Sequence, residues 1–227
     1  MKAASFFTHR PGEERWGCDY VDQLRLLEAS CRRFGVDHVV LTDMETELPD
    51  GFAAFRRELP RELMRAVLYV QQQYLASTEH NDEDIILLGA DCVLARDPRE
   101  VFEDCFDVAV TVDHSLGDCP LNTGAIFVAA TATPLAAQAW DEAMHGMGVS
   151  WGDDQRALYS RLGPLPNLPA LQQSGGLAVK VMKLHPWNHA PKDVNEATGT
   201  TGLLHFRGPR KKFMRSYCKR HLSLEPV

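Results

Sequence analysis

The sequence has no Cys-x-x-Cys pair, no internal repeat, no low-complexity tract and no apolar run long enough to cross a membrane. Its six cysteines (Cys18, Cys31, Cys92, Cys105, Cys119 and Cys218) are scattered through the chain. That spacing argues against a zinc site or a disulfide framework and for reduced thiols. The apolar stretch within residues 1–7 is too short for a secretory signal, so a cytoplasmic location is expected.

What is present is an ordinary globular composition: 227 residues, 44% of them apolar, enough for a layered core. The net charge of −7 is unevenly spread. Seven of the 24 Lys and Arg stand between Arg207 and Arg220 with no acid among them, which leaves 17 bases against 31 acids elsewhere. Such a basic segment is either a solvated helix face or a surface for an anionic partner.

The chain is organised around Ile85-Ile86-Leu87-Leu88-Gly89-Ala90-Asp91. Four consecutive apolar residues after a polar run predict a buried strand of a parallel sheet, covered on both faces. Asp91 then lies at the strand's carboxyl end, where open α/β sheets bind ligands. A carboxylate there either takes a hard divalent cation or caps the next turn.

Residues 3–8 predict a first strand, 20–34 an amphipathic helix ending before Gly35, and 39–41 a second strand closing on Thr42-Asp43. A helix is expected from Pro60 to about Ala76 and a short one from Asp97-Pro98. Strands follow at 107–112, 124–129, 177–184 and 203–206, with helices from Thr133-Pro134 and Asp153-Asp154. Residues 164–169, with three prolines, read as a loop. The alternation predicts one α/β domain over 1–227, with a mostly parallel mixed sheet flanked by helices. Its parts are a nucleotide-binding half (1–118), an acceptor-side half (119–211) and a basic C-terminal tail (212–227).

Four segments, in order, carry a resemblance: Leu87-Leu88-Gly89-Ala90-Asp91, Leu121-Asn122-Thr123-Gly124-Ala125-Ile126, Asp153-Asp154-Gln155 and His205-Phe206-Arg207-Gly208-Pro209-Arg210-Lys211. Together they resemble glycosyltransferases of the GT-A fold, most closely those of family 8. The first stands where that family carries Asp-x-Asp, and the last fits its His-x-x-Gly-x-x-Lys signature. The resemblance implies a nucleoside-diphosphate-sugar donor, a divalent cation (Mn²⁺ or Mg²⁺) and retention at the anomeric carbon. Asp91 and His205 would bind the cation, and Lys211 would reach the donor diphosphate. Asn122 and Asp154 would line the donor sugar or the acceptor, while Thr8, Asp43 and Arg65 would hold the nucleoside. Gly89 occupies the place of the family's first Asp, so one carboxylate is missing.

Plainer roles stand beside these: a structural histidine at 205, a helix cap at 153 or 154, a turn former at 122, and core or cleft walls for Trp16, Trp140, Trp151 and Trp187. Two other functions compete. A nucleotidyltransferase making a nucleotide sugar shares the β-α-β start, but residues 9–17 offer only Gly12 and Gly17 where that class has a glycine-rich loop. A non-catalytic nucleotide-sugar-binding protein is motivated by Gly89. For the acceptor, the basic segment with Phe213 and Tyr217 suggests DNA, through a hydroxylated base.

Overall fold

The computed structural model describes residues 1–9, 18–80, 82–167 and 169–226. Trp16 and the expected glycine-poor loop fall outside these. In chain order the main elements are β1 (Lys2–Phe6), α1 (Tyr20–Arg33), β2 (Asp37–Thr42), β3 (Ala53–Arg56), α2 (Leu63–Leu75), β4 (Ile85–Gly89) and β5 (Cys92–Leu94). They continue with β6 (Val108–Val112), β7 (Leu121–Val128), α3 (Thr133–Met144), α4 (Asp153–Leu162), β8 (Ala170–Ser174), β9 (Leu177–Lys183) and β10 (Leu203–His205).

Eight strands form one sheet in the order β3-β2-β1-β4-β7-β6-β9-β8. The first four are mutually parallel, and β6 pairs parallel with β9. β7 runs antiparallel between β4 and β6, and β8 antiparallel to β9, so the sheet is mixed and mostly parallel, as expected. β3 and β8 were not foreseen. β3 is a four-residue edge strand with two exposed alanines, and β8 follows the prolines with the mixed pattern Ala-Leu-Gln-Gln-Ser. Edge strands lack the continuous apolar run that marks a central one. The helix expected from Pro60 begins three residues later, with Glu62 at its N-cap, and the one at Asp97-Pro98 is a 3₁₀ turn capped by Asp97.

β4 is buried because both faces are covered. On one face Leu87 and Ile85 pack with Leu68, Tyr74, Trp140 and Leu158 from α2, α3 and α4. On the other, Ile86 and Leu88 pack with Leu27 and Cys31 of α1 and with Phe127 and Trp187. Each such buried side chain contributes about 1.5–3 kcal/mol. Trp140 and Trp187 are therefore core residues, whereas Trp151 is 77% exposed.

The tight turn Gly89-Ala90-Asp91 takes the chain out of the main sheet, and β5 pairs antiparallel with β10 in a separate two-stranded ribbon. This ribbon brings His205 opposite Cys92. The C-terminal residues then form a 3₁₀ turn (Gly208–Phe213), an α-turn (Met214–Tyr217) and a π-turn (Cys218–Leu222). Met214, Tyr217, Cys218 and Leu222 pack on Leu26 and Ala29 of α1 and on Val93, Leu204 and Phe206. The expected basic tail is thus part of the packed structure.

Candidate active site at the carboxyl edge of the sheet

Asp91, His205 and Lys211 meet beyond the end of β4, and Asn122 is joined to His205 through Asn188. Asp91 is buried, its Oδ1 lies 3.5 Å from His205 Nε2, and its Oδ2 accepts a hydrogen bond from the Lys211 ammonium. The backbone pins this arrangement, because Phe206 N donates to Asp91 O at 2.9 Å. Gly89 has a physical role here: a Cβ on it would run into Asp91 Oδ1, so its bareness lets the Asp91 carboxylate fold back over the turn.

β7 supplies the next part. Its register on β6 jumps from Val110↔Ile126 to Thr111↔Asn122, which leaves residues 123–125 without partners on that side. Bulges of this kind re-aim side chains beside functional sites. At this bulge Asn122 Oδ1 meets Asn188 Nδ2 at 3.0 Å and Thr123 Oγ1 meets Asp154 Oδ2 at 3.2 Å. Gly124 sits directly under the imidazole, where any Cβ would overlap His205 Nδ1.

Asp154 enters from the first turn of α4 and is buried, its Oδ2 accepting from Thr123 Oγ1 at 3.2 Å. It does not cap the helix: Gly152 holds the N-cap position, and Asp153 accepts from Ser150 N at 2.7 Å. Burial pushes the Asp154 carboxyl up, against lowering hydrogen bonds from the helix N–H groups and Thr123. The fold therefore favours the protonated acid. This contribution to stability is full below the ordinary Asp range and is lost as pH rises through the raised value. Asp154→Asn is accordingly expected to raise Tm at neutral pH and to leave it unchanged in acid, by about 2–4 °C for each kcal/mol relieved in a chain of this size. Melting curves across pH check this, and a variant less stable than the native chain at neutral pH would refute it.

Asp91 and His205 titrate in opposite surroundings. Burial pushes the Asp91 carboxyl up, but the charges of His205 and Lys211 and the Lys211 hydrogen bond outweigh it and hold the group below its usual range. For His205, burial favours the neutral ring, Asp91 opposes this, and Lys211, Arg207 and Arg210 reinforce it, with a net lowering. Cys92 also lies within ligand distance of Asp91 and His205. Burial and the neighbouring Asp91 charge push its thiol well up, and its Sγ donates to Gly124 O at 3.2 Å, so it is a packed thiol and not a thiolate. The donor set that remains, one carboxylate oxygen and one imidazole nitrogen, can ligate a divalent cation.

Comparison with solved structures gives a consistent picture. A glycosyltransferase involved in glycosylation of the major capsid of PBCV-1 matches 94% of this chain and 99% of its own, at 17% identity and a TM-score of 0.63. Galactosyltransferase LgtC, solved with donor and acceptor sugar analogues, matches over 92% and 88% at 12% identity and 0.54. The glycosyltransferase GlyE of Streptococcus pneumoniae TIGR4 matches over 98% and 62% at 11% identity and 0.59. The fold is that of the GT-A glycosyltransferases. No protein-family model matches the sequence, and no curated protein does.

Within this GT-A fold, Thr8 and Asp43 stand beyond the carboxyl ends of β1 and β2, and Arg65 stands on α2. Thr8 follows β1 by two residues and Asp43 follows β2 directly. Asp43 Oδ1 closes a local turn, accepting from Glu45 N at 3.0 Å and Thr46 N at 2.6 Å, and Arg65 is exposed on the first turn of α2. The sequence reading missed Asn188, which lies 2.9 Å from His205 Nδ1 and 3.0 Å from Asn122 Oδ1. Nothing in the spacing of its segment, His185-Pro186-Trp187-Asn188-His189, shows that it folds under His205.

The basic segment proves to be largely engaged. Arg207 pairs with Asp113, Lys211 with Asp91, Arg215 with Asp22 and Lys219 with Glu225. Arg210 donates to Pro191 O and Arg220 to Asn195 Oδ1, leaving Lys212 as the one cation of the seven without a partner among the described residues. Tyr217 is fully buried and packs edge-on against Phe206, so it cannot stack on a base. Phe213 is half-buried, and the side chains of Arg215 and Lys219 stay 63% and 71% exposed.

Proposed function

We propose that this chain is a metal-dependent glycosyltransferase that moves a sugar from a nucleoside-diphosphate sugar to an acceptor hydroxyl. The observation that carries the reading is the pairing of Asp91 with His205 beside Lys211 at the carboxyl end of β4 in a GT-A fold. Asp91 and His205 would hold the cation, which supplies charge neutralisation to the donor diphosphate. Lys211 contributes a second positive charge toward the leaving nucleoside diphosphate, where negative charge grows as the glycosidic bond breaks. Asn122 and Asp154 would border the sugar, and Thr8, Asp43 and Arg65 would flank the nucleoside. Retention at the anomeric carbon rests on the family resemblance alone.

The acceptor is a hydroxyl compound better matched to an apolar wall than to a cationic surface. Trp151 is exposed three residues before Asp154, and its carbonyl accepts from Arg156 Nη2 at 3.0 Å, which fixes the turn that presents it. A carbohydrate face fits such a ring.

The test is donor turnover against a panel of nucleotide sugars, with and without Mn²⁺, combined with thermal shifts for binding. Stabilisation by one donor and Mn²⁺-dependent release of its nucleoside diphosphate are expected. Stabilisation without any turnover would instead identify a nucleotide-sugar-binding protein, and release of pyrophosphate from a nucleoside triphosphate a nucleotidyltransferase.

A further inference from the structure

Asn188 is 1% exposed and sits at the centre of a chain of hydrogen bonds whose direction can be deduced from one end. The backbone N–H of Gly124 can only donate, so the Asn122 atom it meets at 3.0 Å is the carboxamide oxygen. That oxygen also faces the Asn188 carboxamide at 3.0 Å, which must present its NH₂ group there. The same NH₂ reaches Thr111 Oγ1 at 2.7 Å and Asn122 O at 3.3 Å. The Asn188 oxygen is then left facing His205 Nδ1 at 2.9 Å, and since it can only accept, Nδ1 carries the proton. In the neutral ring the lone pair therefore sits on Nε2, which faces Asp91 Oδ1 across 3.5 Å. In that neutral form two lone-pair-bearing atoms face each other, a gap that a shared cation would fill. Lys211 sits on the other carboxylate oxygen and does not bridge the pair.

We propose that Asn188, itself oriented by Asn122 and the Gly124 N–H, is a positioning residue that holds His205 in the Nδ1–H form and so aims Nε2 at a divalent cation shared with Asp91. This rests on the metal-dependent reading above. It also changes the part given to Asn122: its oxygen is committed to Gly124 and Asn188, and only its NH₂ is left for a substrate. Outer partners of a ligating histidine fix the tautomer and raise ligand basicity, and their loss weakens metal binding by about 10–100-fold.

Two readouts test this without any sugar donor. In the metal-free protein labelled with ¹⁵N at the histidine rings, His205 should show a protonated Nδ1 and a bare Nε2 at about pH 8, above the ordinary histidine range. Asn188→Leu should lose that signature and weaken Mn²⁺ binding, followed by the electron paramagnetic resonance of free Mn²⁺, by about 10–100-fold. Asn188→Asp keeps an acceptor toward Nδ1 and should restore the signature and most of the affinity, although its carboxylate faces the Asn122 oxygen and its Tm should fall. A folded Asn188→Leu protein with the native tautomer and native Mn²⁺ affinity would overturn the proposal, as would a proton on Nε2 in the neutral native ring. An Asn188→Asp protein no better than Asn188→Leu would also overturn it. If the native protein binds no Mn²⁺ while the tautomer still depends on Asn188, the metal reading under Proposed function fails and the hydrogen-bond chain stands.

Discussion

Asp91→Asn is expected to lower sugar transfer by at least about a hundredfold, the scale on which one preorganised electrostatic contact acts in a water-poor site. The substitution keeps the side chain's volume and removes its charge. Because Gly89 stands where a second carboxylate would be, no neighbour in that turn can take over the cation. The variant should also lose stability, since the Lys211 ammonium is left with a neutral acceptor in place of a charged one. The pH dependence follows from the lowered Asp91 carboxyl. Its contribution is present above the ordinary Asp range and is lost as pH falls through the lowered value, so the Tm gap between native and variant should close in acid. Turnover with Mn²⁺ and melting curves across pH measure both effects. A folded Asp91→Asn protein with turnover within threefold of native would end the assignment of Asp91 as the cation's carboxylate.

The parallel half of the sheet was legible because its strands are buried on both faces, and Ile85-Ile86-Leu87-Leu88 can do little else. The edge strands β3 and β8 were not, because they are short and half-exposed and carry no continuous apolar run. The same division holds at the site. Asp91 and His205 could be singled out from strand-end position and motif, and the structure shows that β5 and β10 are what bring them together. Asn188 could not be found, since its partners Thr111, Asn122 and His205 lie 77, 66 and 17 residues away along the chain. The partners of the basic segment were hidden for a related reason. A run of cations reads as a surface patch, yet its partners Asp22, Asp91 and Asp113 come from distant turns and helices.

Lys211→Ala should move two measurements in opposite directions. In the structure the Lys211 ammonium is held by Asp91 Oδ2, so it occupies one of the two oxygens a cation would use. Removing it frees the carboxylate, and Mn²⁺ binding to the donor-free protein should tighten. Removing it also takes away the compact charge that offsets the leaving diphosphate, and turnover with saturating donor and Mn²⁺ should fall by about a hundredfold. Lys211→Arg should recover turnover only in part, because a planar fork does not replace a point-like ammonium at the end of a flexible stem. A merely structural lysine would lower both quantities together through misfolding, so the opposed signs separate the roles. An unchanged rate in Lys211→Ala would pass the diphosphate role to Lys212, which is exposed and without a partner among the described residues, rather than to Arg210, whose Nε is bound to Pro191 O at 2.8 Å.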